Sequence, residues 1–170
     1  MKIVLSVVAL CFVAACGGAG GGGSNLSTSP GSTPIADLPQ VAVSTAPSRT
    51  FEGMLNGVRS RNGAGPVSYD SRLGEAARRH ANDMAANNFF SHTGSDGTSA
   101  GDRITDTGYR WSTWGENIAR GQSSESNVLT AWVNSPGHQR NNVNPRFEDF
   151  ALAKASSGRG PYWVLVFAAE

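Results

Sequence analysis

Three titratable side chains in the second half of the chain have types suited to one shared chemical task. His92 lies within residues 89–94, Glu116 follows Gly115 at the start of an apolar run, and His138 follows a Ser-Pro-Gly turn. Neutral imidazole nitrogens and a carboxylate can bind a divalent metal such as zinc, and a His–Glu pair can move protons near neutral pH. A glutamate that opens an apolar strand also needs partners, because an unpaired carboxylate is costly to bury. The two imidazoles are candidates for those partners, which makes His92 and His138 the candidate metal ligands.

The spacing of these residues leaves a structural interpretation open. Their separations match no short zinc motif, and both cysteines lie near the amino terminus. A histidine in a small domain more often makes a structural hydrogen bond than binds a metal. His80, on the apolar face of a predicted helix, is expected to make such a bond in the core. Trp132 and Trp163 are likewise expected in the core.

Ser135 offers a second chemistry, because it lies three residues before His138 and could act as a nucleophile beside that base. No nucleophile elbow of the Gly-x-Ser-x-Gly kind, in which a strand leads into the serine, is predicted. The chain also lacks the His-Glu-x-x-His motif of metalloproteases. A binding role is therefore favoured. A hydrolase that depends on a metal or on the His–Glu pair is the alternative.

Composition bounds the remaining classes of function. The chain has 170 residues, with 14 Lys and Arg against 13 Asp and Glu, and a formal net charge of +1. The cations are scattered, so the chain lacks the clustered positive charge that binds nucleic acid. A chain of this length is expected to form one modest domain and to act as a monomer.

The amino-terminal third is expected to export and anchor that domain. Residues 1–15 have the short basic start and brief apolar run of a signal peptide, too short to span a bilayer. Their ending, Val-Ala-Ala before Cys16, resembles a bacterial lipobox, which implies that Cys16 becomes lipidated. Residues 16–48 are rich in Gly, Ser, Thr and Pro and are predicted to be a flexible tether. The expected location is the outer membrane or cell surface; an ordinary secretory signal, which would release the protein, is the alternative.

Residues 49–170 contain the elements that must position the candidate site. Apolar spacing predicts four helices, near residues 51–61, 71–84, 99–107 and 124–134, and Gly, Pro and Asn residues predict irregular segments around His92 and His138. Strands are predicted at residues 116–119, 150–155 and 162–168. The last strand is apolar on both faces, so both faces must be covered. The expected fold class is α+β, a three-layer α-β-α sandwich with a central, mainly antiparallel sheet.

The order of several short blocks resembles the bacterial branch of the CAP superfamily of cysteine-rich secretory, antigen 5 and pathogenesis-related 1 proteins, or SCP-like extracellular domains. The blocks are residues 80–84 (HANDM), 90–92 (FSH), 115–119 (GENIA), 131–138 (AWVNSPGH) and 162–167 (YWVLVF). The resemblance implies an α-β-α sandwich over residues 49–170 and a cleft lined by His92, His138 and Glu116. The second acidic position of eukaryotic members falls near Asn134 or Ser135, which leaves a four-ligand metal site incomplete.

The resemblance further implies a non-enzymatic binding module of the cell envelope, since the family is known mainly for extracellular binding. The expected ligand is a lipid, a divalent metal or another envelope component. The membrane itself is the expected partner through acylated Cys16.

Overall fold

The structure is a computed structural model, and it describes residues 49–170. The predicted signal peptide, the lipidation site Cys16 and the tether of residues 16–48 lie outside the described residues. The elements follow one another along the chain as α1 (Arg49–Arg61), β1 (Ser68–Tyr69), α2 (Ser71–Asn87), α3 (Ala100–Asp106), β2 (Thr113–Arg120), α4 (Glu125–Val133), α5 (Pro136–Asn142), β3 (Asp149–Ser157) and β4 (Gly160–Ala169). Within this part of the chain, no helix is both long and apolar enough to cross a bilayer.

Side-chain caps determine where helices α2 and α3 begin. The Asp70 carboxylate accepts hydrogen bonds from the backbone N–H groups of Arg72 and Leu73, at 2.7 and 3.3 Å, and so starts α2. Ser99 and Asp102 form a reciprocal capping box at the start of α3. These caps satisfy N–H groups that the helices themselves leave unpaired.

The sheet has four strands in the order β1-β3-β4-β2. The short β1 pairs with β3 in parallel, while β4 pairs antiparallel with both β3 and β2. Leu165 of β4 therefore lies between Leu152 of β3 and Asn117 of β2. The sheet is mainly antiparallel, as predicted, and β2 forms one of its edges.

Both faces of the sheet are covered, which confirms the three-layer α-β-α sandwich. On one face, Val164 and Val166 of β4 pack in a cluster with residues of α2 and with Ile104 of α3. On the other face, Leu165 and Phe167 pack in a second cluster with residues of α1 and α4. Alternate side chains of β4 therefore pack in two separate hydrophobic clusters, because successive side chains of a strand point to opposite faces.

One short helix was not expected from the sequence. The segment around His138 was predicted to be irregular, and that prediction was wrong: it forms α5, with Pro136 in its first turn. Pro fits the first turn of a helix because its missing N–H would have no partner there. The helix is almost wholly polar, so it shows none of the apolar spacing on which the prediction relied.

Candidate functional site

Glu116 is a buried carboxylate that two cationic or protonatable groups meet. Glu116 lies in the middle of β2, and its side chain is only 2% exposed. Its Oε1 lies 2.7 Å from Nδ1 of His92, and its Oε2 accepts a hydrogen bond from Arg103 at 2.8 Å. The predicted contact between His92 and Glu116 is therefore present. Burial of the carboxylate is compensated because both of its oxygens have partners.

Arg103 is the residue of this cluster that the sequence interpretation missed. Its guanidinium, 8% exposed, also donates to the backbone carbonyls of Thr98 at 2.9 Å and of His92 at 3.1 Å. One side chain thus fixes both the carboxylate and the loop that carries His92. Its position next to Ile104 in the predicted helix of residues 99–107 is the sequence signal that could have indicated a buried arginine.

The contact with Glu116 sets the orientation of the His92 ring. An ionised carboxylate can only accept a hydrogen bond, so Nδ1 of His92 must donate to it. In the neutral ring, the other nitrogen, Nε2, is then left with a free lone pair. The His92 side chain is 58% exposed, so this nitrogen belongs to a ring that a ligand can reach.

His138 lies on α5 and contacts Ser135 rather than Glu116. Its Nδ1 lies 2.8 Å from the Ser135 hydroxyl oxygen. Ser135 occupies the N-cap position of α5 but makes no capping hydrogen bond, so its hydroxyl serves the imidazole instead. Burial lowers the pKa of His138, and the nearby charge of His92 lowers it further. Both effects favour neutral imidazole at His138.

A second serine, Ser99, lies in a sequence that matches the Gly-x-Ser-x-Gly pattern, residues 97–101 (GTSAG). Its hydroxyl donates to the Asp102 carboxylate at 2.7 Å and accepts from the Asp102 backbone N–H at 3.2 Å, as the cap of α3. The segment before it is a loop, whereas a nucleophile elbow follows a strand. The sequence interpretation overlooked this match, but Ser99 caps a helix and residues 97–101 do not form a nucleophile elbow.

A network of buried amides and one arginine holds α5 against the sheet edge. Asn117 of β2 donates to the Asn142 side-chain oxygen at 2.9 Å and to the His138 carbonyl at 3.2 Å. Asn141 donates to the Glu116 carbonyl at 3.2 Å. The buried Arg59 of α1 donates to the Asn142 carbonyl at 2.9 Å. The polar helix is thus placed by tertiary hydrogen bonds.

The loop that carries His92 lines a cleft of about 670 Å³ together with β2, α4 and α5. This cleft is called the His92 cleft below. It is lined by Phe90, Ser91, His92, Ile118, Ala119, Arg120, Gln122, Ala131, Trp132, Ser135 and His138. His92, Ser135 and His138 therefore line one cavity. Glu116 is not part of its lining and acts from behind His92. The two imidazoles line one cleft as predicted, but the expectation that Glu116 would line it with them was wrong, because Glu116 contacts only His92 of the two.

His80 behaves as the sequence predicted, as a core histidine. Its ring is buried, and its Nε2 lies 2.9 Å from the Ser91 carbonyl, which only an N–H can satisfy. The same nitrogen lies 4.0 Å from Glu116 Oε1, and the ring's Nδ1 is buried without a hydrogen-bond partner. Burial lowers the pKa of His80. Trp132 and Trp163 are also buried, as predicted.

A resident zinc ion usually takes at least three protein ligands. His92 and His138 each have one ring nitrogen engaged, by Glu116 and Ser135 respectively. Across residues 49–170, no group of three His, Cys, Asp or Glu side chains could hold an ion. The two imidazoles alone do not fit a resident zinc ion.

The sequence profile of the cysteine-rich secretory protein family, CAP, matches residues 53–167. The chain belongs to the CAP family. The matched range includes every residue of the cluster and cleft described above. The α-β-α architecture and the family assignment therefore agree.

Two curated relatives come from Bacillus subtilis strain 168. The CAP domain is 35% identical over 105 residues to the uncharacterized protein YkwD, covering 62% of this chain and 41% of the relative. It is 27% identical over 110 residues to the uncharacterized membrane protein YlbC, covering 65% of this chain and 32% of the relative. The match thus spans less than half the length of either relative.

Solved structures show the same fold. An extracellular protein with an SCP domain from Bacillus anthracis superposes with a TM-score of 0.66 at 26% identity, over 74% of this chain and 40% of that one. An outer surface protein from Borrelia burgdorferi superposes with a TM-score of 0.64 at 21% identity, over 71% of this chain and 90% of that one.

Proposed function

We propose that this CAP domain is a non-enzymatic binding module of the cell envelope that takes its ligand into the His92 cleft. The observation that carries the proposal is a cleft of about 670 Å³ with a tethered, exposed imidazole at its edge. This volume lies within the range of roughly 300–1,000 Å³ typical of small-ligand pockets. Because Glu116 and Arg103 fix the His92 ring in advance, the ring loses little freedom when a ligand binds.

An extracytoplasmic location is part of the proposal. It is supported by the extracellular SCP-domain protein of Bacillus anthracis and the outer surface protein of Borrelia burgdorferi. The lipobox-like sequence before Cys16 adds an acyl anchor to the membrane. Replacing Cys16→Ser should release the protein from the membrane fraction, whereas Cys11→Ser, in the segment that is removed, should leave it bound. Equal membrane retention of both variants would contradict lipidation at Cys16.

The lining of the cleft favours a ligand that has both an apolar part and an acidic group. Ile118, Ala131 and Trp132 supply apolar surface, and no Asp or Glu lines the cavity. Arg120 also lines it, and within residues 49–170 its guanidinium contacts aromatic rings but no carboxylate. An acidic lipid of the envelope has the matching chemistry, because its acyl chains are apolar and its headgroup is anionic.

Native mass spectrometry of the full chain purified from its own envelope tests the binding function. The wild type should retain an added mass. Ala131→Phe should lose it, because Ala131 lines the cleft from the exposed side of α4 and a phenyl ring there would occupy the cavity. Thr130→Phe is the matched control, since Thr130 is exposed on the same helix and does not line the cleft. Retention of the same mass by Ala131→Phe would overturn the proposal.

A hydrolase is the second candidate, and one contact favours it. The Ser135 hydroxyl lies 2.8 Å from Nδ1 of His138, within the hydrogen-bond reach expected of a nucleophile and its base. The lowered pKa of His138 keeps its ring neutral and able to accept a proton. However, the described residues provide no carboxylate partner for the His138 ring, and the Glu116 carboxylate serves His92 instead.

A serine-directed organophosphorus fluoridate separates the two candidates. The Ser135 oxygen would displace fluoride from phosphorus, His138 would take the hydroxyl proton, and the chain would gain the phosphoryl group. A mass gain at Ser135 that His138→Ala abolishes would support the hydrolase. An unmodified Ser135 in protein that retains its ligand would support the binding module.

A further inference from the structure

We propose that Trp114, with Trp111 beside it, forms a carbohydrate-binding subsite next to the His92 cleft. A second cavity of about 380 Å³ is lined by Trp114, Glu116 and His92, among others. His92 lines both cavities, so the second adjoins the first. The two cavities share His92, and the other residues that line the proposed subsite do not line the His92 cleft.

The two indoles form an exposed aromatic pair. Trp111 is 39% exposed and Trp114 is 37% exposed, and their rings meet edge to face at 84° with centroids 6.2 Å apart. Large aromatic groups at a soluble surface are usually covered, so an exposed pair beside a cavity indicates contact with a ligand.

The backbone of α3 fixes this pair in place. The Trp111 indole N–H donates to the Thr105 hydroxyl at 3.0 Å and to the Gly101 carbonyl at 3.3 Å. A methyl group on Gly101 would lie 2.8 Å from Nε1 of Trp114 and 3.3 Å from the Trp111 ring. Gly101 therefore lets both indoles lie directly against the helix, which holds them rigid while leaving them accessible.

The chemistry of the cavity favours a neutral ligand rich in hydroxyl groups. Arg103 and His92 already meet the charge of Glu116. Thr93 also lines this cavity, and within the part of the chain that the structure describes its hydroxyl has no hydrogen-bond partner. A sugar ring can pack its C–H face on an indole and direct a hydroxyl group to such a polar atom.

An extended peptide fits this edge less well, because a peptide that adds to a sheet needs free backbone groups on the edge strand. The Glu116 carbonyl of β2 already accepts from Asn141 at 3.2 Å. The Ile118 carbonyl accepts from the Trp132 indole at 3.3 Å. These side chains occupy acceptors that strand addition would require.

The test is an NMR titration of the full chain, with its indole N–H groups observed. The probes are β-1,4-linked hexamers of N-acetylglucosamine and of glucose, with the α-1,4-linked glucose hexamer as a third. At least one should bind and shift the Trp111 and Trp114 resonances. The Trp163 resonance should stay in place, because that indole N–H donates to the Gln122 carbonyl inside the fold.

Two variants and a matched control decide whether the indole pair carries binding. Trp114→Ala should weaken the affinity by about two- to tenfold, the equivalent of one aromatic contact. Gly101→Ala should do the same while keeping both tryptophans, because its methyl group displaces them. Gly53→Ala, with open space around the new methyl group in α1, should bind as the wild type does. If Trp114→Ala fails to fold, Gly101→Ala and Trp114→Phe carry the test.

Several results would overturn the carbohydrate subsite. The first is that no hexamer binds at millimolar concentration. The second is that both Gly101→Ala and Trp114→Ala bind with wild-type affinity. The third is that a hexaalanine peptide shifts the Trp111 and Trp114 resonances while none of the sugar hexamers does. The native mass spectrometry of Ala131→Phe tests binding in the His92 cleft, whereas the NMR titration tests the carbohydrate subsite. Failure of one proposal can therefore be distinguished from failure of the other.

Discussion

Nδ1 of His92 lies 2.7 Å from Oε1 of Glu116, a carboxylate 24 residues further along the chain. The glutamate is inside the fold and the imidazole is at its surface. The pair therefore connects the sheet to the cleft. Arg103 completes it by binding the other carboxylate oxygen at 2.8 Å.

Arg103→Met should destabilise the fold by about 3–5 kcal/mol, because it leaves a buried carboxylate without its guanidinium partner. Chemical denaturation measures the loss. Arg78→Met is the control: Arg78 pairs with Glu75 at 2.7 Å on the surface, where such pairs contribute at most about 1 kcal/mol. The double variant Arg103→Met with Glu116→Gln should recover part of the loss, and no recovery would show that the charge is not its cause.

Gly115→Ala should cost about 1–3 kcal/mol through overpacking. A methyl group at Gly115 would lie 2.8 Å from the Phe147 ring, and that ring is stacked on Phe167 with centroids 5.3 Å apart. Gly53→Ala, in an open part of α1, should instead stabilise by about 0.5–1 kcal/mol. Thermal unfolding of both variants compares them, and equal shifts in the same direction would contradict the packing argument.

Acid should destabilise the domain as pH falls below about 6.5, the ordinary pKa of histidine. Burial lowers the pKa of His80, so the unfolded chain takes up a proton there before the folded one does. The free energy of unfolding therefore falls as pH drops from about 6.5 towards the lowered pKa. Nearby Glu116 opposes this shift and Arg103 reinforces it.

His80→Gln isolates that contribution, because glutamine can still donate to the Ser91 carbonyl and does not titrate in this range. Denaturation curves at pH 7 and pH 5 should show a smaller loss in the variant than in the wild type. An identical loss in both would assign the acid sensitivity to other groups.

A chelator should leave the melting temperature of the full chain unchanged. His92 and His138 offer one free ring nitrogen each, which is fewer ligands than a resident zinc ion takes. Differential scanning calorimetry with and without a chelator measures this. A lower melting temperature with the chelator, restored by added zinc, would show that a metal stabilises the fold.

The sequence predicted the layers of the fold because β4 carries a direct physical signal. Val164 and Leu165 are neighbours of similar polarity, and each is buried on a different face. A strand that is apolar on both faces requires two covering layers. The start of α2 was also readable, because Asp70 directly precedes helical apolar spacing.

The parts that the sequence did not reveal depend on long-range contacts. Helix α5 is held by Arg59 and Asn117, which are remote from it along the chain, so local periodicity could not indicate it. Arg103 looked like one more scattered cation until its contact with Glu116 was known. The contact of His138 with Ser135 was considered from their spacing. That Glu116 contacts His92 and not His138 was not indicated by the sequence.

The most direct test of the binding function is a crystal structure of the full chain, purified from its envelope with the retained mass still bound. We expect density for that ligand inside the His92 cleft, with an acidic group at Arg120 or the His92 imidazole and an apolar part against Trp132. Density for the ligand elsewhere on the domain, with the His92 cleft holding only water, would contradict the proposal.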